Sequence, residues 1–100
     1  MYIAAMSKVF LFVEIDVQAG KTEAFLEQLQ SHAQGIRSED GCESLEIYRN
    51  SDNENRVHVW EIWSSRSAWD AHMANEASRA WREIAAEYVV SEKITVLSQA

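Results

Sequence analysis

The chain has 100 residues, 47% of them apolar and 25% charged, with a formal net charge of -7. That length suits one domain with one hydrophobic core, taken here as 1–100, and the balance is that of an ordinary globular chain. Nine Lys and Arg spread through an acidic chain leave no basic face for phosphates, which argues against a nucleic-acid partner and an anionic membrane surface.

No apolar run reaches the roughly 18 to 20 residues of a membrane span. The amino terminus, "MYIAAMSKVFLFVEI", moves from a short apolar lead into a charged strand without a signal-cleavage pattern, so a cytoplasmic protein is expected. Cys42 is the single cysteine, which excludes an internal disulfide and is read as a small buried hydrophobe.

"KVFLFVEIDV" predicts a strand over Lys8–Val17, with Val9, Leu11, Val13, Ile15 and Val17 on one face and Phe10, Phe12, Glu14 and Asp16 on the other. A turn at Gly20 leads into a helix opened near Lys21 or Thr22, whose Phe25, Leu29, His32, Ala33 and Ile36 form one stripe. "SEDG" ends it, and Gly41 precedes a second strand in which Leu45 and Ile47 oppose Glu46 and Tyr48.

"NSDNEN" is a polar turn that sends the chain back as a third strand, Arg56–Trp63. Val57, Val59, Glu61 and Trp63 share one of its faces, and His58, Trp60 and Ile62 the other. A second helix starts at Ser64 or Ser65, carries Trp69, Met73, Ala77, Ala80, Trp81, Ile84 and Tyr88 as its stripe, and has a break near Asn75. "EKITVL" is the last strand.

The order β-α-β-β-α-β predicts a ferredoxin-like α+β fold, a four-stranded antiparallel sheet with helices on one face. Phe10, Phe12, Trp60 and Ile62 then make an apolar patch on the opposite face, from which a sheet-to-sheet homodimer is expected.

Four segments, "VQAGKTEAFLEQL", "SEDGCESLEIYRN", "VHVWEIWSS" and "SAWDAHMAN", occur in the order and spacing that resemble the antibiotic biosynthesis monooxygenase family, in the dimeric α+β barrel superfamily. The resemblance runs from about Lys8 to Leu97. It implies that fold and, for members that are enzymes, oxidation of quinols or phenolic polyketides by O2 without flavin, metal or haem. Other members degrade haem or act as isomerases, so membership implies a fold more firmly than a chemistry.

Glu61 sits among Val57, Val59 and Trp63 on the face assigned to the helices, where a carboxylate needs a partner and burial raises its pKa. His72 begins the helix that packs back on that face. A Glu61–His72 contact is therefore expected, with His72 as base, Glu61 as its orienter, and O2 as co-substrate. Trp63 and Trp69 are expected as flat walls around the substrate, and Tyr48 and Arg49 as binders of a substrate oxygen. From spacing alone, the same pair could instead fasten a strand to a helix without any chemistry.

Trp81 is expected in the core, Trp60 in the dimer interface, and His32 as a core residue with its polar groups satisfied. Haem-degrading relatives use a second-helix histidine and a first-strand asparagine; the corresponding places here, near Trp81 or Arg82 and Val13, carry neither. Three histidines on three elements give no zinc signature and three distant glycines no phosphate loop, so neither a metal nor a nucleotide cofactor is expected. The chemistries left open are a cofactor-independent monooxygenase, an isomerase of a small reactive metabolite, and a non-catalytic small-molecule-binding dimer.

Overall fold

A computed structural model of the chain, describing residues 7–100, contains β1 (Val9–Val17), α1 (Thr22–Arg37), β2 (Cys42–Arg49), β3 (Arg56–Trp63), α2 (Arg66–Ala74), α3 (Glu76–Ala85) and β4 (Val89–Leu97). The apolar lead at the amino terminus lies outside the described residues. Every strand pairing is antiparallel, in the sheet order β2-β3-β1-β4, which is the expected ferredoxin-like α+β arrangement. Among the described residues no helix is long and apolar enough to cross a membrane.

Alternation decides which face of the sheet is dry. Val9, Leu11, Val13, Ile15 and Val17 are all buried beneath the helices, and the register sets Leu11 opposite Glu61 and Val13 opposite Val59. On its other flank β1 places Ile94 opposite Val13 and Glu92 opposite Ile15. Phe25, Leu26, Leu29, Ala33 and Ile36 of α1 close over this surface at helical spacing. β4 starts at Val89, earlier than "EKITVL" suggests, because Val89 pairs with Val17 beyond a register shift and the Tyr88 carbonyl accepts the Gln18 N–H at 2.8 Å.

The break expected near Asn75 separates two helices. Asn75 is extended (φ -77°, ψ 166°), and its Oδ1 accepts the Ser78 N–H at 2.8 Å as the cap of α3. The interruption resets the helical phase, so the predicted stripe does not run through it. α2 buries Trp69 and His72, and α3 buries Ser78 with Trp81 and Ala85 packed against the core. Met73, Ala77, Ala80 and Ile84 are exposed. Within α2, His72 lies three residues after Trp69 and shares its buried face, one position off the expected stripe.

The opposite face of the sheet carries the predicted apolar patch. Phe10 and Trp60 lie 6.1 Å apart between ring centroids, and Phe12 stacks on His58 at 5.2 Å. Phe12 is exposed, and His58 Nδ1 is buried with no hydrogen-bond partner among the described residues.

Candidate functional site

Between the sheet and the helices lies a cavity of about 390 Å³, within the usual range for a small-molecule site. Leu11, Val13 and Val59 form its floor, and Phe25, His32 and Trp81 line it from the helix side. His72, Glu61 and Trp69 supply its wall at the α2 end. Lining residues that are also exposed, Met73, Arg82, Ala86, Glu92 and Ile94, mark the opening between α2, α3 and β4.

His72 is 8% exposed and is held from several directions. Its Nδ1 lies 2.8 Å from Glu39 Oε1. A carboxylate oxygen only accepts, so the pair fixes the hydrogen on Nδ1 and leaves the Nε2 lone pair, with no protein partner among the described residues, for whatever enters the cavity. The same Glu39 oxygen accepts from Asn75 Nδ2 at 3.1 Å, and Ser78 Oγ donates to the His72 carbonyl at 2.7 Å. Trp63, fully buried, stacks on the imidazole at 4.7 Å between centroids. A ring gripped at one nitrogen and one face has little freedom left.

The expected Glu61–His72 hydrogen bond is therefore replaced by Glu39–His72. Glu61 Oε1 accepts from Trp63 Nε1 at 2.9 Å, two residues along the same strand face, and the Trp63 ring lies against the imidazole. Glu39 reaches Nδ1 from the turn between α1 and β2. That turn is fixed by Gly41, at φ +86°, whose carbonyl accepts the Ser64 N–H at 2.8 Å. An added Cβ at Gly41 would come within 2.4 Å of Ala68 Cβ, so the missing side chain is what lets the turn lie against the start of α2.

Glu61 still belongs to the cavity. Burial pushes its carboxyl pKa up, against the opposing effects of the Trp63 hydrogen bond and the His72 charge. Glu92, at the mouth, is raised by burial and then by the charge of Glu61. His32, expected to be a satisfied core residue, instead lines the cavity and stacks nearly parallel on Trp81 at 4.6 Å. Burial holds its pKa down, with a smaller contribution from His72.

The remaining predicted residues divide. Trp69 lines the cavity, whereas Trp63 lies behind the imidazole rather than on the lining. Tyr48 is 53% exposed, and the register places it beside His58 on the face away from the helices. Arg49 is on the surface, paired with Glu23 at 2.6 Å. Neither reaches the cavity: Tyr48 falls on the wrong strand face, and an exposed carboxylate engages Arg49. Cys42 is half-buried, and burial raises its thiol pKa. Among the described residues no group of three or more His, Cys, Asp or Glu is placed to hold a metal ion.

This arrangement can be set beside known proteins. A 26% identical protein of Shewanella oneidensis superposes with a TM-score of 0.86, covering 94% of this chain and 92% of that one. A candidate antibiotic biosynthesis monooxygenase of Nitrosomonas europaea, also 26% identical, superposes with a TM-score of 0.82 over 99% of this chain and 95% of its own. In sequence, N-terminal EF-hand calcium-binding protein 1 of Homo sapiens is 25% identical over 73 residues, 73% of this chain; the chain spans only 20% of that protein's length. The sequence model for antibiotic biosynthesis monooxygenase matches residues 8–84, more than half of the chain. On that match, joined to the sheet order and the helix-covered cavity, the chain belongs to the antibiotic biosynthesis monooxygenase family.

Proposed function

We propose that the protein is a cofactor-independent monooxygenase that oxidises a quinol or phenolic small molecule with O2. The observation that carries this reading is an oriented imidazole, Nδ1 tied to Glu39, lining a largely apolar cavity. Family membership and the likeness to the Nitrosomonas protein support the reaction class.

In this mechanism His72 Nε2 accepts the phenolic proton, and Glu39 steadies the imidazolium that forms. The electron-rich ring carbon then reduces O2, forming a C–O bond and, after protonation, a hydroperoxide. Loss of the ring proton at that carbon cleaves the O–O bond: one oxygen remains as a carbonyl and the other leaves as water. A phenol and O2 thus give a quinone and H2O. Glu61 accepts a hydrogen bond from a substrate hydroxyl, Trp69 supplies a flat wall, and the apolar lining excludes water from the peroxide.

A homodimer joined through the Phe10, Phe12, Trp60 and Ile62 face completes the proposal. It would cover that apolar patch and offer His58 Nδ1 a partner. An isomerase would use the same base without O2, so oxygen consumption separates the two. The test is an oxygen electrode with hydroquinones and phenols, comparing wild type, His72→Ala and Glu39→Gln. Uptake lost in His72→Ala and reduced in Glu39→Gln is expected; undiminished uptake in His72→Ala would refute the assignment.

A further inference from the structure

The cavity is apolar along its floor, yet two carboxyl groups line it at different levels. Glu61 stands opposite Leu11 and Glu92 opposite Ile15, on opposite flanks of β1. Their backbones are thus about 13 Å apart along the strand and about 10 Å apart across it, so a ligand that reaches His72 from the mouth passes one and meets the other. The Glu92 carboxyl has no hydrogen bond or ion pair among the described residues. Glu61 receives only the indole N–H of Trp63.

Positive charge does not balance them. Arg82 is the one Lys or Arg on the lining; it is exposed, and its Nη1 donates to the Met73 carbonyl at 3.2 Å. Any positive charge gained by His72 would be matched by Glu39, 2.8 Å away. His32 is kept toward its neutral form by burial.

We propose that this cavity selects uncharged aromatic ligands against anionic ones, with Glu92 at its mouth as the residue that sets the selection. The inference rests on the cavity being the substrate site and adds the charge class of the substrate: a free phenol or hydroquinone enters, while a ring bearing a carboxylate, sulfonate or phosphate is turned away. An anion between Glu61 and Glu92 would exchange bulk water for two like charges in a low-dielectric space.

The test needs no turnover. N-phenylnaphthylamine and anilinonaphthalene sulfonate share one aromatic skeleton and differ by a sulfonate; both brighten on entering an apolar site. Wild-type protein is expected to bind the neutral probe about ten-fold or more tightly than the anionic one at neutral pH. Glu92→Lys should close most of that gap by strengthening sulfonate binding while leaving the neutral probe nearly unchanged, and Glu92→Gln should fall between.

Equal binding of the two probes, binding of neither, or a ratio unmoved by both Glu92 variants would overturn the proposal. Selective binding without oxygen consumption would leave it standing and count against the monooxygenase reading instead. Oxygen consumption with anionic and neutral phenols alike would do the reverse.

Discussion

Gly41→Ala tests the junction that holds Glu39 against His72. Gly41 has φ +86°, and an added Cβ would lie 2.4 Å from Ala68 Cβ and 2.8 Å from Ser64 Oγ. The serine hydroxyl can rotate away. The alanine methyl cannot, so the first turn of α2 must shift. The left-handed backbone costs a non-glycine residue about 1–2 kcal/mol, and overpacking adds about 1–3 kcal/mol. The sum, about 2–5 kcal/mol, is a large share of the 5–15 kcal/mol that is typical of a domain's stability, roughly. At about 4–8 °C per kcal/mol for a domain of this size, melting falls by about 8–40 °C.

Gly20→Ala is the control, because Gly20 has φ +82° but nothing within 4 Å of the added Cβ. It should lose only the backbone contribution, about 1–2 kcal/mol. Differential scanning calorimetry on both variants gives the comparison. A second variant, Gly41→Ala with Ala68→Gly, removes the overlap and should recover part of the loss. Equal drops for Gly41→Ala and Gly20→Ala would refute the reasoning that close approach of the turn to α2, rather than φ alone, requires glycine here.

Asn75→Asp should keep the α3 cap through its side-chain oxygen but replace the amide that donates to Glu39 with a repelling carboxylate; near-wild-type melting with a fall of about ten-fold or more in turnover is expected, read by calorimetry and oxygen uptake. Asn75→Ala should lower stability by about 1 kcal/mol through loss of the cap, measured by urea denaturation. Glu61 has a folded-state pKa above its usual 4.5, so the folded state binds more protons there and stability falls as pH rises from that value through the folded one. Glu61→Gln, which keeps an acceptor for Trp63 Nε1, should therefore gain melting temperature over wild type more at pH 8 than at pH 5, roughly.

The fold was legible because its signals are local. Period-two alternation in β1 and β3 assigned the buried face residue by residue, and Gly20, Gly41 and "NSDNEN" marked the turns. His72 and Trp69 were legible as cavity residues because β3 and the following helix had to pack on that face. Glu39 was not: its partner lies 33 residues away, and its own neighbours, Ser38, Asp40 and Gly41, look only like a helix ending. Its one clue was the Gly-Cys step, which turns the chain sharply back toward the sheet.

Glu61 was assigned the right face and the wrong partner. Strand alternation places a side chain on a face but does not say that an indole N–H two residues along will reach the carboxyl first. Tyr48 and Arg49 were chosen for their chemistry at the hairpin, where alternation and an exposed Glu23 turn them away from the cavity. Met73 and Ile84 were put on the buried stripe, whereas α2 buries Trp69 and His72, and α3, restarted at Asn75, packs Trp81 and Ala85 against the core. His32 was on the predicted stripe, but a stripe cannot distinguish a packed core from a cavity wall.

Incorporation of isotope-labelled O2 into the product tests the central claim most directly. A phenol converted by wild-type protein, quenched before its carbonyl exchanges with water and analysed by mass spectrometry, is expected to carry one labelled oxygen, with the second in water and no conversion by His72→Ala. An oxidised product without label, accompanied by labelled hydrogen peroxide, would contradict the account.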